Sequence, residues 1–242
     1  ICCSMTEKKG DHSVTDKKEW LKKRMKEGLV FYKGNVRGKV FIEYIPAEAA
    51  WVPIQAENWM HINCLWVSGS FKGQGYSDEL LQHCITDARA KGMHGITILS
   101  GKKKLPFLSD PSYLKHKGFT PADEAGVFTL LQLPFHKDVK APCFAKTVFQ
   151  PKHPEHTFVL YYTDQCPFAI QYATRFAQWM NNWGQPCTVH HITTREAAQK
   201  CPAPVTSYAL FYGNTYLTNE IMSEKKAEKL WRTYGSQTVQ AG

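Results

Sequence analysis

The stretch with the plainest chemical content is Lys72-Gly73-Gln74-Gly75-Tyr76-Ser77. It lies between a short apolar run, residues 61–67, and a segment in which Leu81, Cys84, Ile85 and Ala88 recur at helical spacing. A glycine-bearing loop that opens a helix presents backbone N–H groups with no partner of their own, and the helix dipole adds positive potential there. Glycines let the backbone come close to an anion because no Cβ stands in the way. Residues of these types at this spacing make a cradle for a phosphate or pyrophosphate. Two common cradles are excluded. No third glycine completes Gly-x-Gly-x-x-Gly, and no Gly-Lys-Ser/Thr follows at the P-loop distance.

Other residues with chemical potential are scattered. Eight cysteines occur without a C-x-x-C pair, so neither a zinc ribbon nor a regular disulfide framework is expected, and no metal is called for. Cys166 stands immediately before Pro167 at the start of a helical pattern, where a thiolate would be stabilised. A reactive single thiol and an inert packed cysteine are both open there. Lys102, Lys103 and Lys104 could meet phosphates, although a solvated loop is the simpler reading.

The chain that must position these groups has 242 residues, 43% of them hydrophobic, enough to bury a core in one or two domains. Its formal net charge of +9 and pI near 9.1 suit anionic partners, with solubility as the equally good bland explanation. No run approaches the ~18 apolar residues of a membrane span. Cys2-Cys3 leads straight into a charged stretch, so no secretory signal is visible. With its scattered thiols the sequence fits a reducing cytoplasm, no membrane partner, and no evident nucleic-acid partner.

Element by element, residues 16–28 read as a helix: Asp16 and Glu19 have capping-box spacing, Trp20, Leu21 and Met25 form a stripe, and Gly28 is a stop. Lys17, Lys18, Lys22, Lys23, Arg24 and Lys26 are expected on its solvated face. Strands follow at 29–32 and 39–45, with 51–54 continuing the sheet, then 61–67, the loop and helix, 95–99, a short helix at 111–117, and a last strand at 127–133. The Pro- and Lys-rich interval 134–154 reads as a linker. Beyond it come a strand at 158–163, a helix with Ala169, Tyr172, Ala173, Phe176 and Met180 at 3/4 spacing, and a strand at 187–192. A short helix started by Thr193, a hairpin of 207–212 with 215–218, and a helix capped by Ser223 complete an α/β (α+β) chain.

Val67, five residues before Lys72, and the loop that follows resemble motif A of the GNAT N-acetyltransferases, Arg/Gln-x-x-Gly-x-Gly/Ala. Lysine replaces the first Arg/Gln and Ser77 the last small residue; neither change removes a backbone donor. The order of elements over residues 1–135 is similar to the GNAT mixed-sheet acyltransferase fold. Its usual first strand has no room here, which suggests a truncated chain. The resemblance implies acetyl-CoA as acyl donor and no metal. The strand backbone at Leu65, Trp66 and Val67 would take the pantetheine arm, and Lys72, Gly73, Gln74, Gly75, Tyr76 and Ser77 the pyrophosphate. The acceptor it implies is an amine, on a small molecule or a peptide, attacking the thioester directly.

That attack calls for a base. His61 and Asn63 match positions at which some amine acetyltransferases of this family carry histidines, and His61 titrates in the right range. Strand alternation places His61, Asn63, Leu65 and Val67 on one face. A structural strand histidine is the competing reading, with Glu43 and Glu57 as weaker candidates for the base. For the leaving thiolate, the family's Phe-Tyr-x-x-x-Gly-Phe segment puts Leu114 where a tyrosine donor is usual. Tyr113 is one residue earlier, a rotation of about 100°. Tyr113 is the candidate donor, against a packing role.

The second half opens with Tyr162-Thr163-Asp164-Gln165-Cys166-Pro167 and has a proline before its third strand, features that resemble thioredoxin and glutaredoxin. That resemblance implies a cis Ala203–Pro204 bond facing Cys166. Cys166-Pro167-Phe168-Ala169 lacks the second cysteine, so dithiol exchange through this motif is not possible. With the phrases GKVFIEYIPAE, VSGSFKGQGY, LSDPSYLKHKGF and TNEIMSEKK, the whole resembles the YoaP-like acetyltransferases. The expected organisation is a GNAT domain over 1–135, a linker over 136–156 and a smaller thioredoxin-like domain over 157–242. Two rival readings are a CoA-binding docking protein without activity and a monothiol redox protein using Cys166.

Overall fold

Val40, Ile42 and Tyr44 alternate along one strand and send their side chains to one face, as a period of two requires. The computed structural model, which describes residues 11–235, builds a mixed sheet around that strand. In chain order the first part contains α1 (Ser13–Met25), β1 (Val30–Lys33), β2 (Val40–Pro46), β3 (Ile54–Gln55), β4 (Trp59–Val67) and α2 (Tyr76–Ala90). It continues with β5 (Gly95–Gly101), α3 (Pro111–His116), β6 (Thr120–Ala125), β7 (Phe128–Pro134) and β8 (Cys143–Phe144). Among the described residues six of these strands form one sheet in the order β1-β2-β4-β5-β7-β6. Only β4 and β5 are parallel, and α2 is the crossover that parallel neighbours need. Leu80, Leu81, Cys84 and Ala88 of α2 bury against Ile62 and Ile96 on the face that also carries Val40 and Ile42.

The second part comprises β9 (Phe158–Tyr162), α4 (Pro167–Asn182), β10 (Cys187–His191), α5 (Arg195–Gln199), β11 (Tyr208–Tyr212), β12 (Thr215–Thr218) and α6 (Glu224–Tyr234). Its sheet runs β10-β9-β11-β12, with β9 and β10 parallel and the other pairs antiparallel. Phe158, Leu160 and Leu210 pack on that sheet's outer face against Ala173, Phe176 and Met180 of α4. The inner faces of the two sheets share one apolar layer, in which Trp20, Ile45 and Phe128 meet Val159, Ala209 and Phe211. Polar contacts cross at the same level: Thr206 Oγ1 donates to the Trp51 carbonyl at 2.5 Å, and Gln199 Nε2 to those of Glu48 and Ala50 at 3.0 and 3.2 Å.

Several expectations are corrected. Residues 51–54 do not extend the main sheet; Ile54 and Gln55 pair with Phe144 and Cys143 in a separate ribbon. The interval after Pro134 is therefore not a plain linker, and Phe149 packs on Phe128 and Tyr216. Strand β6 escapes sequence reading because it is an edge strand with Pro121, Asp123 and Glu124 in place of alternating apolar residues. Thr194, not Thr193, caps α5, its hydroxyl accepting from Ala197 N. No peptide bond among the described residues is cis, so the bond before Pro204 is trans. A strand preceding α1 would fall on residues 1–10, outside those described.

Candidate functional site

The site begins with an irregularity in β4. Its register with β2 pairs Ile45 with His61 and Tyr44 with Ile62, then Glu43 with Cys64, which leaves Asn63 as the extra residue of a β-bulge. The bulge breaks the alternation. Met60 and Ile62 before it, and Leu65 and Val67 after it, all belong to the α2 side. His61, Cys64 and Trp66 share the opposite side with Phe41 and Glu43. The expected single face of His61, Asn63, Leu65 and Val67 is thus split by one inserted residue. Pairing of β4 with β5 also stops at Ile62–Ile98, so residues 63–67 have no strand partner on that edge.

On the α2 side lies a cleft of about 300 Å³, lined by Leu65, Val67, Lys72, Gly73, Ser77 and Tyr113 among others. Gly73 and Gly75 have φ of +75° and +82°, left-handed conformations that suit glycine, and no heavy atom stands within 4 Å of a Cβ built at either. Gly75 caps α2, and the carbonyl of Gly75 accepts from Asp78 N and Glu79 N at 3.0 and 3.1 Å. The N–H groups of Gly73 through Ser77 have no backbone acceptor among the described residues. They are therefore available to an anion at the positive end of the helix. Gln74 folds back, its Nε2 donating to the Ser70 carbonyl at 2.8 Å. The Trp66 side chain lies on the other face, so of the three strand residues expected at the cofactor it can offer only backbone.

Tyr113 also faces this cleft. Asp110 caps α3 by accepting from Ser112 N at 2.8 Å, and Pro111 fixes the first turn; this phase buries Leu114 in the core and turns Tyr113 outward. Its hydroxyl donates to Asp78 Oδ1 at 3.3 Å. Partial burial pushes the phenol pKa up, against a lowering hydrogen bond to Ser77. The phenol therefore keeps its proton at neutral pH.

A second cavity of about 190 Å³ opens on the other side of β4. Phe41, Glu43, His61 and Asn63 form one wall, and Cys166, Phe168 and Thr206 from the second half form the facing wall. Leu65 and Ser109 line both this cavity and the cleft, so the two meet there. His61 is 2% exposed, and its Nδ1 has no partner among the described residues. Burial lowers its pKa to about 4, so it stands neutral, below the ordinary histidine range that sequence suggests.

Glu43 sits beside it. Lys17 Nζ reaches Glu43 Oε2 at 2.6 Å, both side chains 1% exposed, and Asn63 Nδ2 donates to Oε1 at 3.0 Å. Lys17 lies 4.2 Å from the centre of the Trp20 ring. It does not belong to the solvated face where sequence places it. Helix α1 starts at Ser13, which puts Val14, Lys17 and Leu21 on one buried stripe. Asn63 holds Glu43 in place, whereas Glu57 is exposed and lines a different cavity with His94 and Glu48. Cys166 is the N-cap of the 16-residue α4 and lines the shared cavity. Among the described residues no group of three or more His, Cys, Asp or Glu could hold a metal ion, and no helix is long and apolar enough to cross a membrane.

Known proteins bear on this geometry. Residues 2–106 match the Acetyltransferase (GNAT) family and residues 186–229 the YoaP-like family. A relative from Bacillus subtilis (strain 168), the uncharacterized N-acetyltransferase YoaP, is 46% identical over 234 residues, 96% of this chain and 93% of its own. Among solved structures, the PaiA N-acetyltransferase of Thermoplasma acidophilum in complex with coenzyme A is 13% identical, with 46% of this chain and 65% of that one covered at a TM-score of 0.36. A GNAT acetyltransferase from Brucella melitensis in complex with acetyl-CoA is 17% identical, with 42% and 53% covered at a TM-score of 0.29.

Proposed function

This chain belongs to the GNAT N-acetyltransferases with a YoaP-like C-terminal part, and from that premise we propose that it moves the acetyl group of acetyl-CoA directly onto a small amine held between its two halves. The observation that carries this reading is the meeting of cleft and cavity at Leu65 and Ser109. The pyrophosphate would rest on the N–H groups of residues 73–77 and the pantetheine arm along the open edge of residues 63–67. That places the thioester at the seam and the amine in the cavity.

His61 is the base in this scheme. Its lowered pKa makes it too weak to strip a free ammonium, so the acceptor enters as the neutral amine. Attack on the thioester makes that nitrogen far more acidic, and the neutral imidazole takes its proton, directly or through one water. Tyr113, in the cleft with its proton retained, is the donor for the departing CoA thiolate. Glu43 is left to fix Asn63 and the bulge, its charge already met by Lys17.

The C-terminal part, taken as a domain from about residue 157, is in our reading a thioredoxin-like scaffold. Its strand order and directions support this, as does Cys166 at the start of α4, on the same cavity wall as Thr206. Ala169 occupies the second cysteine's place, which leaves a wall rather than a dithiol centre. The cytoplasm, where acetyl-CoA and reduced thiols are both at hand, is the setting we propose.

Incubation with acetyl-CoA and a panel of primary amines, with acetylated product read by mass spectrometry, tests the reading. Product from at least one small amine is expected, and it should persist in Cys166→Ser. Tight CoA binding with no product from any amine would favour the docking protein. A thiol-dependent reduction abolished by Cys166→Ser would favour the redox alternative.

A further inference from the structure

We propose that the acceptor is a small amino-carboxylate, an amine that also bears a carboxylate and an apolar side chain, an assignment that rests on the acetyl-transfer reading above. The charge around the second cavity points to it. Lys39 and Glu43 are the charged side chains among its described lining residues. Glu43 is neutralised by Lys17 at 2.6 Å and further held by Asn63, so it offers no uncompensated charge to a cationic acceptor. Lys39 extends the β2 alternation of Phe41 and Glu43 onto the same face and has no carboxylate partner among the described residues. An unpaired ammonium beside an apolar cavity is a seat for an anion, and its attraction strengthens as water leaves.

The rim of the cavity supports an apolar body. Four large apolar side chains are exposed among the described residues, and two of them, Trp66 at 42% and Phe107 at 51%, line this cavity. Phe107 does so with φ of +59°, a left-handed conformation that is an outlier for a bulky residue. Apolar surface gathered at a cavity mouth marks a binding site more often than chance. Trp66 lies opposite Phe41 in register, near the Lys39 end of β2. Phe168 and Val205 extend the apolar lining from the second half. A volume of about 190 Å³ falls below the usual range for drug-sized ligands, ~300–1,000 Å³, and suits a single amino acid better than a peptide. In this arrangement the carboxylate sits on Lys39, the amine reaches the seam at Leu65 and Ser109, and the side chain contacts the apolar walls.

Matched pairs test the idea: leucine against 3-methylbutylamine, and phenylalanine against phenethylamine, each with saturating acetyl-CoA. The amino acid should show the higher kcat/KM by about tenfold to a hundredfold, the worth of one charge-assisted contact. Lys39→Met should cut that difference back to the share that the lower basicity of an α-amine supplies by itself, which separates the carboxylate contact from basicity. Equal or reversed preference in the wild type, or a preference that Lys39→Met leaves undiminished, overturns the assignment. Calorimetry on the CoA-saturated protein supplies a readout free of turnover, comparing N-acetylleucine with N-(3-methylbutyl)acetamide. If no amine is acetylated yet N-acetylleucine binds better and does so through Lys39, the transfer reading fails and the anion seat stands. If the two ligands bind alike, the amino-carboxylate assignment fails whatever the turnover.

Discussion

The cleft proposed for the cofactor and the cavity proposed for the acceptor occupy opposite faces of β4 and are built in opposite ways. The cleft relies on backbone: two left-handed glycines, a helix N-terminus and an unpaired strand edge, all within residues 63–77. The cavity relies on side chains gathered from β2, β4, the start of α4 and residues 205–207. Backbone donors do not depend on side-chain identity, so the lysine at 72 and the serine at 77 leave them in place. Side-chain recognition does depend on it, because Glu43 is held by Lys17 and Asn63 and each of the three depends on the others. In the proposed scheme the same strand therefore presents a fixed device to the cofactor and an adjustable one to the acceptor.

The largest effect should come from the cavity side. His61→Ala is expected to lower kcat by about 10²–10⁴, the usual cost of losing a general base, while CoA affinity hardly changes. Near-normal turnover in this variant would reduce His61 to a packed strand residue. Lys17→Met should destabilise the fold by about 3–5 kcal/mol in urea titrations, because it strands the buried Glu43 carboxylate. Adding Glu43→Gln should recover part of that loss. A cost under about 1 kcal/mol would mean that the pair behaves as a surface ion pair.

A pH series sharpens the contrast further. The folded pKa of His61, about 4, lies below its unfolded value near 6.5, so the unfolded chain takes up the proton first as pH falls. The contribution of His61 to stability is therefore complete above about pH 6.5, declines through the window down to about pH 4, and is flat below it. Its full size is roughly 3 kcal/mol. Denaturant titrations at pH 7 and pH 4.5 should show this slope in the wild type and a flatter one in His61→Gln. An unchanged slope would place the titration on another group. The step that His61 contributes to the pH profile of kcat, as distinct from the ionisation of the free amine, should likewise lie near pH 4 rather than in the ordinary histidine range.

What the sequence discloses follows the same division. Strand, glycine loop and amphipathic helix are local, so residues 61–90 carry their own signal. The GNAT family follows from them. The bulge at Asn63 is invisible because one extra residue leaves the apolar composition of 61–67 unchanged while reversing which side chains share a face. Lys17 looks like its five basic neighbours in sequence, and only the start of α1 three residues earlier and the distant Glu43 bury it. Tyr113 was legible as a candidate, but the phase of α3 that turns it into the cleft depends on Asp110 and Pro111. The facing wall of Cys166, Phe168 and Thr206 had no local signal, since it exists only when the two sheets share a core.

Calorimetric titration of CoA into the wild type and Gly75→Val tests the central claim most directly. Valine at φ +82° is strained and places a branched side chain in the open cradle, where no atom now stands within 4 Å of the Cβ position. The account predicts one CoA bound per wild-type chain and an affinity at least about a hundredfold weaker in the variant, the loss of several charge-assisted contacts. Thermal unfolding of both proteins checks that the variant remains folded. Equal CoA affinity in a folded Gly75→Val protein would contradict the placement of the cofactor on this loop.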